Sequence, residues 1–124
     1  MAVIGLGIDL VDVADMSRRV ESGTILKAFS ERERAYADSR PKHRFQILAA
    51  QWAGKEAFGK ALGTGLPKGS VGELHTIEVL RDEDGRPYYE IGGRFADQIP
   101  EGARVMVSLT HTEATAAAVA IIEA

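Results

Sequence analysis

The chain is predicted to fold as an α+β protein, and three observations predict it. A β-branched, aliphatic stretch opens the chain, helical periodicity runs through its middle, and two hairpin-like pairs of apolar segments close it. The 124 residues fit one domain, 1–124, long enough for a core without disulfide or metal staples.

Val3 to Val13 reads as a buried strand ending near Asp9 to Asp12. Asp15 follows as the expected N-cap of a short helix carrying Met16, Arg18, Arg19 and Val20. Ser30-Glu-Arg-Glu33 matches a capping box, which places a second helix from Ser30 to about Asp38. Pro41 opens the longest helical stretch, Lys42 to Leu62. Its apolar residues Phe45, Leu48, Ala49, Trp52, Ala53, Phe58 and Leu62 mostly keep a three-to-four spacing, and its length corresponds to about 30 Å of helix. Gly63 to Gly72 is a Gly/Pro-rich loop. Glu73 to Leu80 alternates as a strand, and Asp82-Glu-Asp-Gly85 turns into a second strand, Arg86 to Ile91. A helical turn over Phe95 to Ile99 precedes two apolar strands, Arg104 to Thr112 and Ala114 to Ile122. No repeat, low-complexity tract or dividing linker interrupts this order.

Composition narrows the chemistry. The chain has no cysteine, which excludes disulfides, a thiolate nucleophile and cysteine-held zinc or iron–sulfur sites. The three histidines, His43, His75 and His111, lack metal-ligand spacing, so oxygen ligation is expected for any metal. Asp9 breaks the apolar amino terminus, which lacks a basic lead; it reads neither as a signal peptide nor as a membrane span, and a cytoplasmic location is the default expectation. The net charge of −3 conceals a basic middle. Between Arg18 and Lys60, ten basic residues face five acidic ones, a balance suited to an acidic partner or a polyanion as well as to solvated helix faces. Without interleaved aromatics or a recognised binding motif, nucleic acid is not expected.

Residues 52–65 carry most of the functional signal. Glu56 and Lys60 stand four apart, on one helical face, and the helix runs into Gly63 and Gly65, where the backbone can turn sharply. A carboxylate, an ammonium and a glycine turn suit a phosphate-bearing substrate and a hard metal ion. The same spacing also fits a surface ion pair before a glycine helix stop, worth only about 0.2–0.5 kcal/mol. Asp9 adds to the first reading, because a carboxylate in an apolar strand is costly unless paired or bound to a cation. Asp9 and Glu56 together are candidate ligands for Mg²⁺, and Lys60 is suited to neutralising or protonating a departing phosphate. Lys55, one residue from Glu56, points elsewhere and reads as a phosphate contact or a surface charge. His111 ends a strand among Ser108, Thr110 and Thr112, as a structural histidine or part of an anion site. No Gly-x-Ser-x-Gly elbow supports a serine hydrolase, and Gly63-Thr-Gly-Leu-Pro-Lys-Gly-Ser70 lacks the residue order and context of a P-loop.

Three segments, in order, resemble the holo-acyl-carrier-protein synthase family of small stand-alone 4′-phosphopantetheinyl transferases. They are Gly5-Leu-Gly-Ile-Asp-Leu-Val-Asp12, Trp52-Ala-Gly-Lys-Glu-Ala-Phe-Gly-Lys-Ala-Leu-Gly-Thr-Gly65 and Val107-Ser-Leu-Thr-His-Thr112. Phe29-Ser-Glu-Arg-Glu33 and Asp84-Gly-Arg-Pro87 are similar to the family as well. The resemblance implies a mostly antiparallel sheet packed against a long central helix. It also implies transfer of phosphopantetheine from coenzyme A to a serine of apo-acyl carrier protein, with Mg²⁺, as in fatty acid biosynthesis. On this chain, Asp9 and Glu56 would then be the Mg²⁺ ligands and Lys60 the partner of the leaving phosphate. Lys55, Gly63 and Gly65 would lie along the cofactor, and His111 and Thr112 at its 3′-phosphate end. Arg18 and Arg19 would dock the acidic carrier. A homotrimer with interfacial sites is the implied assembly. Gln46 and Gln51 depart from the arginines often found at these positions, and Arg44 is a candidate to compensate. A silent coenzyme A or carrier-binding module, and a structural oligomer using the final strand, are the competing readings.

Overall fold

The computed structural model describes all residues, 1–124. It contains five strands and four helices. They are β1 (Val3–Asp12), α1 (Val13–Glu21), α2 (Glu31–Asp38), α3 (Arg44–Ala61), β2 (Ile77–Arg81), β3 (Pro87–Ile91), the single turn α4 (Gly93–Ala96), β4 (Arg104–His111) and β5 (Thr115–Glu123). The α+β expectation holds. One sheet has the order β1-β5-β4, β2 and β3 form a separate hairpin, and every strand pair is antiparallel. The long helix α3 lies across β1 and β5.

Small residues set how close α3 comes to the sheet. Ala53, Ala57 and Ala61 of α3 are buried with Ala118, Ala120 and Ile122 of β5. On β1, Gly5 and Gly7 face the helix. A Cβ on either would collide with a helix carbonyl, that of Ala61 at Gly5 and that of Ala57 at Gly7. Only glycine fits there, because backbone meets backbone with no room for a side chain. A larger cluster fills the other side of α3, with Met16, Ile25, Phe29, Leu48, Trp52, Phe58 and Phe95 among its members.

Several element boundaries differ from the sequence-based expectation. The strand β1 is covered on one face only. Leu6, Ile8 and Leu10 are 64, 67 and 71% exposed, since alternation sends them away from α3. The first helix starts at Val13, directly from the strand. Asp12, not Asp15, takes the N-cap position, and Asp15 in the first turn pairs with Arg18 at 3.1 Å. The capping box forms as predicted: Ser30 Oγ accepts from Glu33 N at 3.2 Å and Ser30 N donates to Glu33 Oε1 at 2.9 Å. A 3₁₀ turn over Pro41–His43 leads into α3.

The largest difference concerns the strand expected over residues 73–80. Ser70–Thr76 is 3₁₀-helical, and β2 begins only at Ile77. The cause is Lys55. Its ammonium, wholly buried, donates to Leu74 O at 3.0 Å inside the 3₁₀ segment, which turns that carbonyl toward α3, and to Ile77 O at 2.5 Å where β2 begins. The predicted helical turn at Phe95–Ile99 also shifts, to Gly93–Ala96, with Phe95 buried beneath it.

Candidate active site

The close approach of β1 and α3 creates a charged cluster. Asp9 follows Gly5 and Gly7 on the helix-facing side of β1. Lys60, on the last turn of α3, donates to Ile8 O at 2.9 Å and to Asp9 Oδ1 at 3.1 Å. Asp9 is 16% exposed and Lys60 52%, so the pair lies at the mouth of the seam. Glu56 sits one turn earlier and is half-buried. Burial pushes its carboxyl above the usual range, and the charge of Asp9 pushes the same way; Lys60 and Arg19 pull back. Two carboxylates and two cations therefore share one site.

Arg19 reaches this cluster from α1. Its guanidinium stands 4.9 Å from the Trp52 ring centroid, and Trp52 lies one helical turn before Glu56. Arg18 instead points outward, paired with Asp15. The two arginines grouped together from sequence occupy different surroundings.

Lys55 is corrected. It touches neither surface nor cluster: it is wholly buried and binds Glu33 Oε1 at 2.7 Å as well as the two carbonyls described above. Its ammonium has three hydrogens and all are used, which leaves nothing for a cofactor phosphate. The sequence reading missed Glu33 as its partner, because the capping box already accounted for that residue. Glu33 does both, accepting from Ser30 N and, at 3.0 Å, from Val79 N.

The glycine turn after α3 forms as expected, with φ of +88° at Gly63 and +68° at Gly65. The Gly65 N–H folds back to Gly59 O at 2.9 Å. His111 and Thr112 lie elsewhere, at the other end of α3. The His111 ring is 6.4 Å from that of His43, and both line a cavity of about 270 Å³ with Lys42, Gln46, Thr112 and Glu113. Lys42 and His43 went unnoticed in the sequence as site candidates; the signal available was a basic pair just after Pro41. Thr112 shapes the turn there, its Oγ1 accepting from Thr115 N at 3.1 Å.

A second cavity, about 230 Å³, lies further along α3, lined in part by Ile47, Gln51, Leu109 and Tyr88. Gln51 is buried; its Nε2 donates to Glu33 O at 3.2 Å and its Oε1 has no partner. Arg44, considered as a stand-in for the missing arginines, is engaged with Asp38 at 2.7 Å.

A carboxylate–lysine cluster at a helix–strand seam, and a polar cavity lined by Lys42 and two histidines at the other end of the same helix, are two candidate parts of an enzyme site. The comparisons agree. Residues 5–120 match the 4′-phosphopantetheinyl transferase superfamily, and the chain belongs to that family. It is 42% identical to the holo-[acyl-carrier-protein] synthase of Treponema denticola, with 98% of each chain covered. Among solved structures, the Chronobacterium ammoniagenes ACPS–CoA complex aligns with a TM-score of 0.84 at 29% identity, covering 99% of this chain and 98% of that one. The acyl carrier protein synthase of Mycobacterium tuberculosis aligns with a TM-score of 0.78 at 37% identity, with 99% of each chain covered. The chain is thus a transferase of this family. No helix is long and apolar enough to cross a membrane.

Proposed function

We propose that the chain transfers 4′-phosphopantetheine from coenzyme A to a serine of apo-acyl carrier protein in the cytoplasm, as a step of fatty acid biosynthesis. The observation that carries this reading is the Asp9–Glu56–Lys60 cluster on the glycine-packed seam. In the reaction, the serine oxygen bonds to the β-phosphorus of coenzyme A while the bond from that phosphorus to the bridging oxygen breaks. The bridging oxygen leaves on adenosine 3′,5′-bisphosphate, and the serine proton passes to Glu56 or to a water that Glu56 holds. Lys60 is placed to neutralise the charge that gathers on the leaving phosphate.

The residues fit Mg²⁺. No group of three or more His, Cys, Asp or Glu side chains converges here, but two hard carboxylates do, Asp9 and Glu56, close enough for one charge to raise the other's pKa. Mg²⁺ typically takes one or two protein carboxylates and completes its shell with waters and substrate phosphates. When bound it would offset the phosphate charge and make bound water more acidic.

The separation of the two ends of α3 supports an interfacial site in a homotrimer. His43, beside His111, lies 13 residues before Glu56, about 20 Å along the helix at its standard rise. One ribose cannot span that distance between its 3′-phosphate and its 5′-diphosphate. Glu56 of one copy therefore works with His111 and Thr112 of another. The outer face of the β1-β5-β4 sheet offers the contact. Leu6, Ile8 and Leu10 on β1 stand in register with Ile121, Val119 and Ala117 on β5, an apolar face that a single chain leaves open. Arg18, exposed on α1, remains the candidate contact for the acidic carrier.

Incubation with apo-carrier protein, coenzyme A and Mg²⁺ is expected to add the phosphopantetheine mass to the carrier. Coenzyme A binding without mass gain on several carriers that a known transferase modifies would reduce the chain to a binding module. The interfacial site has its own test, co-expression of Glu56→Gln and His111→Ala chains. Random assembly should restore about a quarter of the sites to full composition. Activity equal to the mean of the two variants would place the whole site within one chain.

A further inference from the structure

Arg19 is the one cation of the cluster whose side chain has no hydrogen-bond or ion-pair partner in the protein. Lys60 gives two of its three ammonium hydrogens to Ile8 O and Asp9 Oδ1. Arg18 is held by Asp15. The Arg19 guanidinium makes neither a hydrogen bond nor an ion pair; only its backbone carbonyl accepts, from Ser22 and Thr24. Yet it is not loose. Met16 and Val20 are buried, which fixes the roll of α1, and the guanidinium rests over Trp52 at 4.9 Å from the ring centroid. Trp52, Glu56 and Lys60 are spaced by four residues, so they rise along one face of α3 about one turn apart. A group on the Trp52 ring is thereby presented to the site beside Glu56, and its charge is felt at the Glu56 carboxyl.

An arginine stacked on an aromatic face keeps its N–H edge free, and that planar fork matches two oxygens of a phosphate. The surroundings need such a group. Asp9 and Glu56 bring two negative charges, which a bound Mg²⁺ would offset, and an incoming diphosphate adds further negative charge that Lys60 alone does not balance. We infer that Arg19 is a phosphate ligand of the active site, binding the diphosphate of coenzyme A beside Glu56 rather than docking the carrier protein. The assignment rests on the transferase reading proposed above. A carrier contact suits Arg18 better, since its side chain is 68% exposed whereas Arg19 is half-buried against Trp52.

The test separates coenzyme A from carrier. In the Mg²⁺-loaded protein, Arg19→Gln should weaken coenzyme A affinity or lower kcat by about 10- to 100-fold, the range for losing charge-assisted hydrogen bonds. The KM for the carrier should stay within about twofold, since no carrier contact is removed. Trp52 is the only tryptophan, so its emission should change as a phosphate binds the guanidinium stacked on its ring, and Arg19→Gln should lose that response. Arg19→Lys retains the charge without the fork and should show a smaller loss of the same kind, which keeps the test open should the glutamine variant fold poorly. A raised carrier KM with unchanged coenzyme A affinity would overturn the inference and return Arg19 to docking. Unchanged affinity for both, with only a lower melting temperature, would also overturn it. Wild-type mass transfer in the same assay reports on the transferase reading separately, and the coenzyme A titration is read without turnover.

Discussion

Glu56→Gln is expected to lower kcat by about 10²- to 10³-fold while leaving folding intact. The Glu56 side chain forms neither a hydrogen bond nor an ion pair within the chain, so replacing it breaks no such contact in the fold. Burial and the neighbouring Asp9 both disfavour its charge. Glutamine has nearly the same shape and no charge to bury, so the melting temperature should hold or rise slightly. The loss should fall on the chemistry, because glutamine neither accepts the serine proton nor serves as a charged metal ligand. Single-turnover rates with saturating coenzyme A, measured beside thermal melts, check both halves. A Glu56→Gln protein with ordinary turnover and ordinary Mg²⁺ dependence would remove Glu56 from the mechanism.

The second large effect concerns stability. Lys55→Met should cost about 3–5 kcal/mol, the penalty for leaving a buried charge without its partner. Burial pushes the Glu33 carboxyl up and the Lys55 ammonium down, each toward neutrality, and their mutual contact draws both back toward the charged pair. Both side chains have no exposed surface. The double variant Lys55→Met/Glu33→Leu should be no more stable than Lys55→Met. It removes the unpaired charge but orphans Ser30 N, Val79 N, Leu74 O and Ile77 O, each worth about 1–3 kcal/mol when buried unmade. Urea unfolding of the two single variants and the double gives the coupling directly. A Lys55→Met protein within about 1 kcal/mol of wild type would show the pair to be dispensable.

Local patterns were legible where the chain answers to itself. The capping box at Ser30 gave the start of α2, and the spacing of apolar residues gave α3 to within two residues at its start and one at its end. Glu56 and Lys60 were legible as one helical face, and Asp9 as a carboxylate out of place in an apolar strand. What stayed hidden depended on distant partners. Lys55 looks like any helix lysine until Glu33, 22 residues earlier, is brought against it. Residues 73–76, expected as the start of a strand, are 3₁₀-helical instead, and alternation cannot reveal that Leu74 O will be claimed by the same buried ammonium. Arg18 and Arg19 are adjacent in sequence, and only the roll of α1 sends one to solvent and the other onto Trp52.

By itself, then, the sequence determined the α+β class, the family resemblance and the residue types of the site. These follow from periodicity, capping and the order of three short segments, all written along the chain. The tertiary structure decided which charges meet. Gly5 and Gly7 admit α3 to the sheet, and that approach sets Lys60 against Asp9. It also decided which candidate site residues stay apart, because α3 is a rigid rod with His43, beside His111 of β4, at its start and Glu56 near its other end. Helical rise over 13 residues is a fixed distance, and no local pattern reports which surface lies across it.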